Sequence, residues 1–251
     1  MEWRERDGVR WLEAELPGAR AAFSTRLGGV SETPYDALNI AVLTGDDANR
    51  VRENRDRLAG ALDRAPESVV MGRQIHGAGV RRHERPQEPR VYADVVRSPE
   101  EVDAHATANP GLTPLVMVAD CLPVALSGPG GVAMAHCGWR GLAAGIVREA
   151  VRAVDATSAA IGPGIGPCCY EVGEEVLSAF SQLEDVATGR MLDPTAVATR
   201  LLAEAGVGGI EQSGLCTSCN PELFYSHRRD GERTGRQAGL VWRHHPEGAS
   251  D

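Results

Sequence analysis

The sequence predicts an α/β fold, and three observations carry the prediction. Brief apolar runs such as residues 115–119 and 159–161, bounded by glycine, proline or polar residues, have the length and setting of strands. Between such runs lie stretches with a 3.6-residue apolar period, clearest at Leu142, Ile146, Val147, Ala150, Val151 and Val154. With 251 residues and a hydrophobic content of 42%, the chain can bury a full core as one large domain or at most two.

Charge narrows the range of functions. Lys and Arg number 26 against 35 Asp and Glu, a net charge of -9 that repels nucleic-acid backbones and anionic lipid, and no basic block offsets it. No apolar stretch approaches the ~18–20 residues of a membrane span, and Met1-Glu-Trp-Arg-Glu-Arg-Asp7 has no apolar signal core, so a cytoplasmic protein is expected. Its six cysteines then stay reduced. Cys216-Thr-Ser-Cys219 has the spacing of half a zinc ribbon or of a thioredoxin-type motif, but without a second Cys-x-x-Cys it is expected to be structural or incidental. Cys168-Cys169 is expected to be buried small-residue packing.

Taken in order, Arg20-Ala-Ala-Phe-Ser-Thr25 reads as a strand. Arg26-Leu-Gly-Gly-Val-Ser31 is a glycine-punctuated turn where backbone N–H groups and Arg26 could approach a ligand; an ordinary hairpin turn fits equally well. After Tyr35-Asp-Ala-Leu-Asn-Ile40, the acceptors of Thr44-Gly-Asp-Asp47 are placed to cap a helix over about 47–62. Val51, Leu58 and Leu62 form its apolar stripe, and Arg55 falls on the same stripe. An inward arginine either snorkels to water or presents its donors to an anion or a substrate oxygen. Residues 68–71 make a strand running into Gly72-Arg-Gln-Ile-His-Gly77, where His76 is either a ligand or simply hydrogen-bonded. The charged, proline-bearing stretch 81–99 is expected at the surface.

Residues 115–119 read as a strand covered on both faces and broken by Asp120-Cys121; 132–135 repeat the pattern before His136. The turn Ser127-Gly-Pro-Gly-Gly131 would bring Cys121 and His136 together at one edge of a sheet. Gly138-Trp-Arg-Gly141 then opens a helix whose free N–H groups favour an anion or a thiolate. Beyond it come strand 159–161, the rigid loop Gly162-Pro-Gly-Ile-Gly-Pro-Cys-Cys-Tyr170, a helix marked by Val172, Val176 and Phe180, and a helix over 195–205. Residues 224–242 read as a closing hairpin, with the tail after Trp242 frayed.

Two imidazoles and a thiolate make a good Zn²⁺ set with the fourth position open, and His76, Cys121 and His136 are the set of choice. Zinc there would activate water for attack on an electron-poor ring carbon or a carbonyl. A cysteine-nucleophile dyad, Cys121 with His136 or His76, reads the same residues differently. Asp103 or Asp120 could fix a histidine tautomer or shuttle protons.

Several segments together carry a resemblance. They are Ser24-Thr-Arg-Leu-Gly-Gly-Val-Ser31, Gly45-Asp-Asp47 with Glu53-Asn-Arg55, Gln74-Ile-His-Gly77, Ala119-Asp-Cys-Leu-Pro123, Ala135-His-Cys-Gly-Trp-Arg-Gly141, Ile161-Gly-Pro163, Gly166-Pro-Cys-Cys-Tyr-Glu-Val-Gly173, Cys216-Thr217, Ser226-His-Arg-Arg-Asp230 and Thr234-Gly-Arg236. In this combination and order, over about 20–242, the chain resembles the YfiH/YlmD family, which includes the human laccase-domain-containing protein. That family goes by multicopper polyphenol oxidoreductase (laccase), purine nucleoside phosphorylase and peptidoglycan editing factor.

The resemblance implies one α/β catalytic domain over residues 1–251, a mixed sheet with flanking helices, the tail 243–251 apart. It implies a Zn²⁺ site at His76, Cys121 and His136, with copper as a second choice, and an active-site arginine at Arg55. Ser24, Arg26, Asn39, Gln74, Asp103, Asp120, Arg140 and Arg229 are expected to bind substrate or support the ligands. Cys137 replaces the family's usual alanine and could add an oxidisable thiol; His105 stands where the family has an apolar residue. The activity implied is phosphorolysis of adenosine, inosine, guanosine and methylthioadenosine to base and sugar 1-phosphate, with adenosine deamination at the same metal. Purine nucleosides and phosphate are the expected partners of a monomer or homodimer. One alternative is a hydrolase that removes a wrong amino acid from a UDP-MurNAc peptidoglycan precursor; another is a copper polyphenol oxidase, which only seven histidines serve poorly. A third is a non-catalytic partner of division proteins, which the intact ligand set and Arg55 argue against.

Overall fold

The computed structural model describes residues 1–98 and 100–244; the expected fraying beyond residue 244 lies outside them. In chain order the strands are β1 (Glu2–Arg6), β2 (Val9–Leu16), β3 (Ala19–Ser24), β4 (Val69–Val70), β5 (Val80–His83), β6 (Ala104–Thr107) and β7 (Thr113–Val118). They continue as β8 (Leu122–Gly128), β9 (Gly131–Cys137), β10 (Ser158–Ile161), β11 (Ala187–Thr188), β12 (Met191–Leu192), β13 (Gly209–Gln212) and β14 (Gln237–Arg243). The α-helices are α1 (Ala48–Ala61), α2 (Trp139–Ala144), α3 (Ile146–Val154), α4 (Glu174–Ala179), α5 (Pro194–Glu204) and α6 (His227–Asp230).

The α/β class holds, with two mixed sheets where one was expected. One has the order β1-β2-β3-β14-β7-β4 and the other β13-β10-β8-β9-β6-β5. Parallel pairing is confined to edge strands: β4 on β7, β5 on β6 and β13 on β10. Side-chain alternation assigns the strand residues to three core layers. Val116 and Val118 of β7 meet Phe23, Met134 and Val241 between the sheets, while Leu115 packs with Leu58 of α1 and Leu240. In β9, Ala133, Ala135 and Cys137 pack beneath Ile146, Val151 and Val197 of α3 and α5. The layers therefore run helix, sheet, sheet, helix, and the continuous apolar run of β7 follows from cover on both faces.

Helix α1 forms as its sequence dictates. Asp47 caps it, accepting from the N–H groups of Asn49 and Arg50, and its stripe buries Val51, Arg55 and Leu58. Other expectations are corrected. The single helix expected after Gly138 is two, α2 and α3, because Gly145 adopts φ 93 between them; the apolar positions still face the core. The expected hairpin over 224–242 is absent. Ser226 caps α6, Gln237 binds the backbone of Tyr225 through its side-chain amide, and β14 pairs instead with β3 and β7. It includes Arg243, so order extends past Trp242. The stretch 81–99 is not simply surface: Val91 and Tyr92 are buried. Strands β1 and β2 went unread, although Asp7-Gly8 between them, both at positive φ, is a hairpin signal.

The path of the chain places the candidate site. Residues 119–121 carry it from β7 in one sheet to β8 in the other, and Cys121 sits in that crossover. The β8–β9 hairpin pairs Pro123 with His136 and Leu122 with Cys137. Cys121 and His136 therefore meet as expected, but at the end of two central strands rather than at a sheet edge.

Candidate active site

His76, Cys121 and His136 come together: one ligand atom from each lies within 4.8 Å of the others. Cys121 Sγ is 3.9 Å from His76 Nε2, and the two imidazole rings meet edge to face with centroids 4.8 Å apart. Gly138 closes the back of the group. A Cβ there would stand 2.8 Å from His76 Cδ2 and 3.0 Å from Cys121 Sγ, so only glycine leaves this space to the ligands.

Asp103, fully buried just before β6, organises the pair of histidines. Its Oδ1 accepts His136 Nδ1–H at 2.8 Å and the His76 N–H at 2.9 Å. Its Oδ2 accepts the N–H groups of Ile75 and Gly77. One carboxylate thus fixes the His136 tautomer, directs Nε2 inward and holds His76 at its left-handed φ of 60. Burial by itself would raise the Cys121 thiol, but the facing His136 and His76 rings bring it well below the usual thiol range. Burial likewise opposes a charged His136, and the Cys121 sulfur and Asp103 overcome it. The resulting thiolate is the form a metal requires. Two imidazoles and a thiolate, one imidazole braced by a carboxylate, fit a borderline ion such as Zn²⁺.

The group lies in the wall of a cavity of about 510 Å³ that Arg55 also lines. Arg55 does not snorkel. Only 2% exposed, it donates from Nε to the Ile40 carbonyl and from Nη1 to those of Val91 and Tyr92, with its head over the Tyr92 ring. Burial lowers its pKa to about 10, which leaves it a cation at neutral pH. Among the described residues no carboxylate pairs with it, nor with the cavity-lining Arg228 and Arg236. Met71, Met117, Ile165 and Tyr170 supply apolar wall.

The other expected site residues divide. Gln74 lines the cavity with its amide locked to Met117 N and O. Asp120 lines it too, but its oxygens accept from Thr217 and the Arg228 N–H and from neither histidine, so it fastens α6 rather than a tautomer. Ser24 accepts the Ala238 N–H within the sheet. Arg26 stacks over Tyr225 and pairs with Asp36, and Asn39 tethers Ala41, Thr44 and Arg236. Arg229 clamps the carbonyls of Thr217, Ser218 and Phe224, and exposed Arg140 covers Trp139. These five are outside the cavity lining. Cys137 is buried at 1% exposure, and burial pushes its thiol up, so it is packed rather than oxidisable. His105 is buried as well, its Nδ1 3.0 Å from His83 Nε2. Sequence reasoning passed over Tyr170, Arg228 and Arg236 as individual site residues, although each stands inside a segment that carried the resemblance.

The family model for multi-copper polyphenol oxidoreductase laccase matches residues 20–244. The chain belongs to this family. The purine nucleoside phosphorylase YfiH of Escherichia coli (strain K12) is 39% identical over 239 residues, which span 90% of this chain and 94% of that protein. Among solved structures, the hypothetical protein YfiH of Bacillus licheniformis superposes with a TM-score of 0.86 at 30% identity, covering 96% of this chain and 99% of that one. YlmD from Geobacillus stearothermophilus gives 0.85 at 34% identity, covering 96% and 98%.

Proposed function

We propose that this protein is a purine nucleoside phosphorylase acting on adenosine, inosine, guanosine and methylthioadenosine through a zinc site at His76, Cys121 and His136. The observation that carries the reading is the meeting, in one cavity, of that ligand set with the buried, carboxylate-free Arg55. Relatives that bear the phosphorylase name over nearly the whole chain support it.

Inorganic phosphate is a dianion that needs fixed donors. Arg55, Arg228 and Arg236 supply cationic ones, and Arg55 is already immobilised by three carbonyls, so little side-chain entropy is lost on binding. The apolar wall and the half-buried Tyr170 ring offer the purine a face. A phosphate oxygen forms the new bond to C1′ of the ribose as the C1′–N9 bond breaks, and the base leaves with that electron pair. Zn²⁺ would supply Lewis acidity at this end of the cavity. Asp103 keeps His136 Nε2 aimed at that end throughout and holds the backbone that carries His76.

Adenosine deamination in the same cavity would have a water oxygen form a bond to C6 of the purine as the C6–N bond to the amino group breaks, the amino group leaving as ammonia with a proton from that water. The three candidate ligands support this branch, because a zinc ion held by only three protein groups would be free to take a water. A multicopper oxidase gains no such support: the other metal-ligating group among the described residues consists of cysteines alone.

Purified protein of known metal content, incubated with adenosine with and without phosphate, tests the reading by its products. Adenine and ribose 1-phosphate are expected only with phosphate, and inosine without it. Neither product from zinc-loaded protein would overturn the proposal and favour the peptidoglycan-precursor hydrolase.

A further inference from the structure

A second set of side chains able to ligate a metal lies outside the cavity. Cys168, Cys169, Cys216 and Cys219 bring their sulfur atoms within 4.8 Å of one another. The sequence expectation that Cys168-Cys169 is buried packing is overturned, since Cys168 is exposed and Cys169 half-buried. Cys216-Thr-Ser-Cys219 does have a partner pair, supplied by a vicinal dipeptide rather than by a second Cys-x-x-Cys.

The topology explains the meeting. β10 and β13 run parallel, so the segments following them leave the same end of the sheet, and a bridge between Gly164 and Cys216 prolongs the pairing. Cys219 Sγ stands 3.4 Å from the sulfurs of both Cys168 and Cys169. A disulfide requires about 2.05 Å, whereas sulfurs about 2.3 Å from a shared tetrahedral zinc are about 3.8 Å apart. One sulfur equidistant from two others suits a common ion better than any one pair. The Gly166 N–H donates to Cys216 Sγ at 3.2 Å, the hydrogen bond a metal-bound thiolate accepts.

We propose that Cys168, Cys169, Cys216 and Cys219 form a second zinc site, a closed tetrathiolate that clips the segment after β10 to the segment after β13. Four soft sulfur ligands select zinc over hard cations and leave no open position, so the ion is structural. Its position gives it a task. Between the two segments, Ile165 N–H donates to the Asp120 carbonyl and Thr217 Oγ donates to the Asp120 carboxylate, while Ile165 and Tyr170 line the cavity. The clip fixes the wall beside Cys121 without touching substrate.

Metal content of protein purified under reducing conditions without chelator tests this. Wild type is expected to carry two zinc ions per chain, Cys168→Ser/Cys219→Ser one, and Cys121→Ala one. Cobalt substitution of Cys121→Ala should show the intense sulfur-to-cobalt charge-transfer bands of an all-thiolate tetrahedral site, and adding Cys168→Ser/Cys219→Ser should erase them. Because Cys121→Ala leaves the cysteine cluster intact, this arm stands even where the double variant folds poorly. A wild type with a single zinc that the double variant retains, a metal-free Cys121→Ala, or alkylation mapping that finds Cys219 in a disulfide would each overturn the proposal.

Discussion

The two cysteine-bearing groups of this protein gather their candidate ligands by opposite means. His76, Cys121 and His136 sit at the ends of central strands and in a sheet-to-sheet crossover, and buried Asp103 holds the backbone around His76 and the ring of His136 before anything binds. Cys168, Cys169, Cys216 and Cys219 stand on two irregular segments at the surface, joined by one bridge and one N–H to sulfur bond. The first offers three ligands set on strand ends of the core; the second offers four, on loops anchored beside them by Asp120 and Arg229 rather than by a carboxylate that orients the ligands themselves. A site that must keep a position for substrate needs a scaffold to carry its geometry, whereas a closed site can let the ion do so.

Cys121→Ala should expose the difference most sharply. Loss of the central sulfur is expected to reduce phosphorolysis and deamination to background, while the melting temperature changes little, because the surrounding strands do not depend on the metal. A variant with its first-site metal and turnover intact would break the assignment. Asp103→Asn should come next. An amide offers one acceptor oxygen where the carboxylate receives four donors, so a loss of about 10–100-fold in metal affinity and kcat/KM is expected. Retention of both would show that His136 needs no bracing.

In the cysteine cluster the effects should invert. Cys168→Ser/Cys219→Ser is expected to lower Tm clearly and kcat/KM only a few-fold, through a looser wall at Ile165 and Tyr170. Activity falling to background with an unchanged Tm would reverse the roles assigned to the two regions. The smallest effect concerns the strand behind the candidate site. Burial holds His105 near a pKa of about 3 and His83 near about 4, against an ordinary 6.5. These folded-state values lie below the unfolded one, so their stabilisation is full above pH 6.5 and is lost as pH falls toward 4 and below. Tm measured between about pH 7.5 and about pH 5 should fall, and less steeply in His105→Leu; parallel profiles would contradict the pairing.

Much of the candidate site was legible in the sequence because local rules there agree with the global fold. A buried strand, a glycine-proline turn and a second strand place Cys121 and His136, and helical periodicity alone turned Arg55 inward. The partners of Arg55 were not legible: its acceptors are backbone carbonyls of Ile40, Val91 and Tyr92, and carbonyls leave no mark in a sequence. Nor was the cysteine cluster, since the pairing of β10 with β13 that unites its halves is a long-range event. The closing hairpin failed because β14 finds better-matched neighbours in β3 and β7 than in the residues just before it.

Arg55 both clamps three carbonyls and lines the cavity, and the phosphate dependence of Arg55→Met tests the proposed phosphate site most directly. Adenine release from adenosine would be followed against phosphate concentration, with inosine formation in the absence of phosphate as the internal reference. A charge-assisted contact of about 1.5–3 kcal/mol predicts a KM for phosphate raised roughly tenfold or more with inosine formation nearly unchanged. An unaltered KM for phosphate, or equal loss of both reactions, would show that Arg55 only clamps the loop and that the phosphate site lies elsewhere.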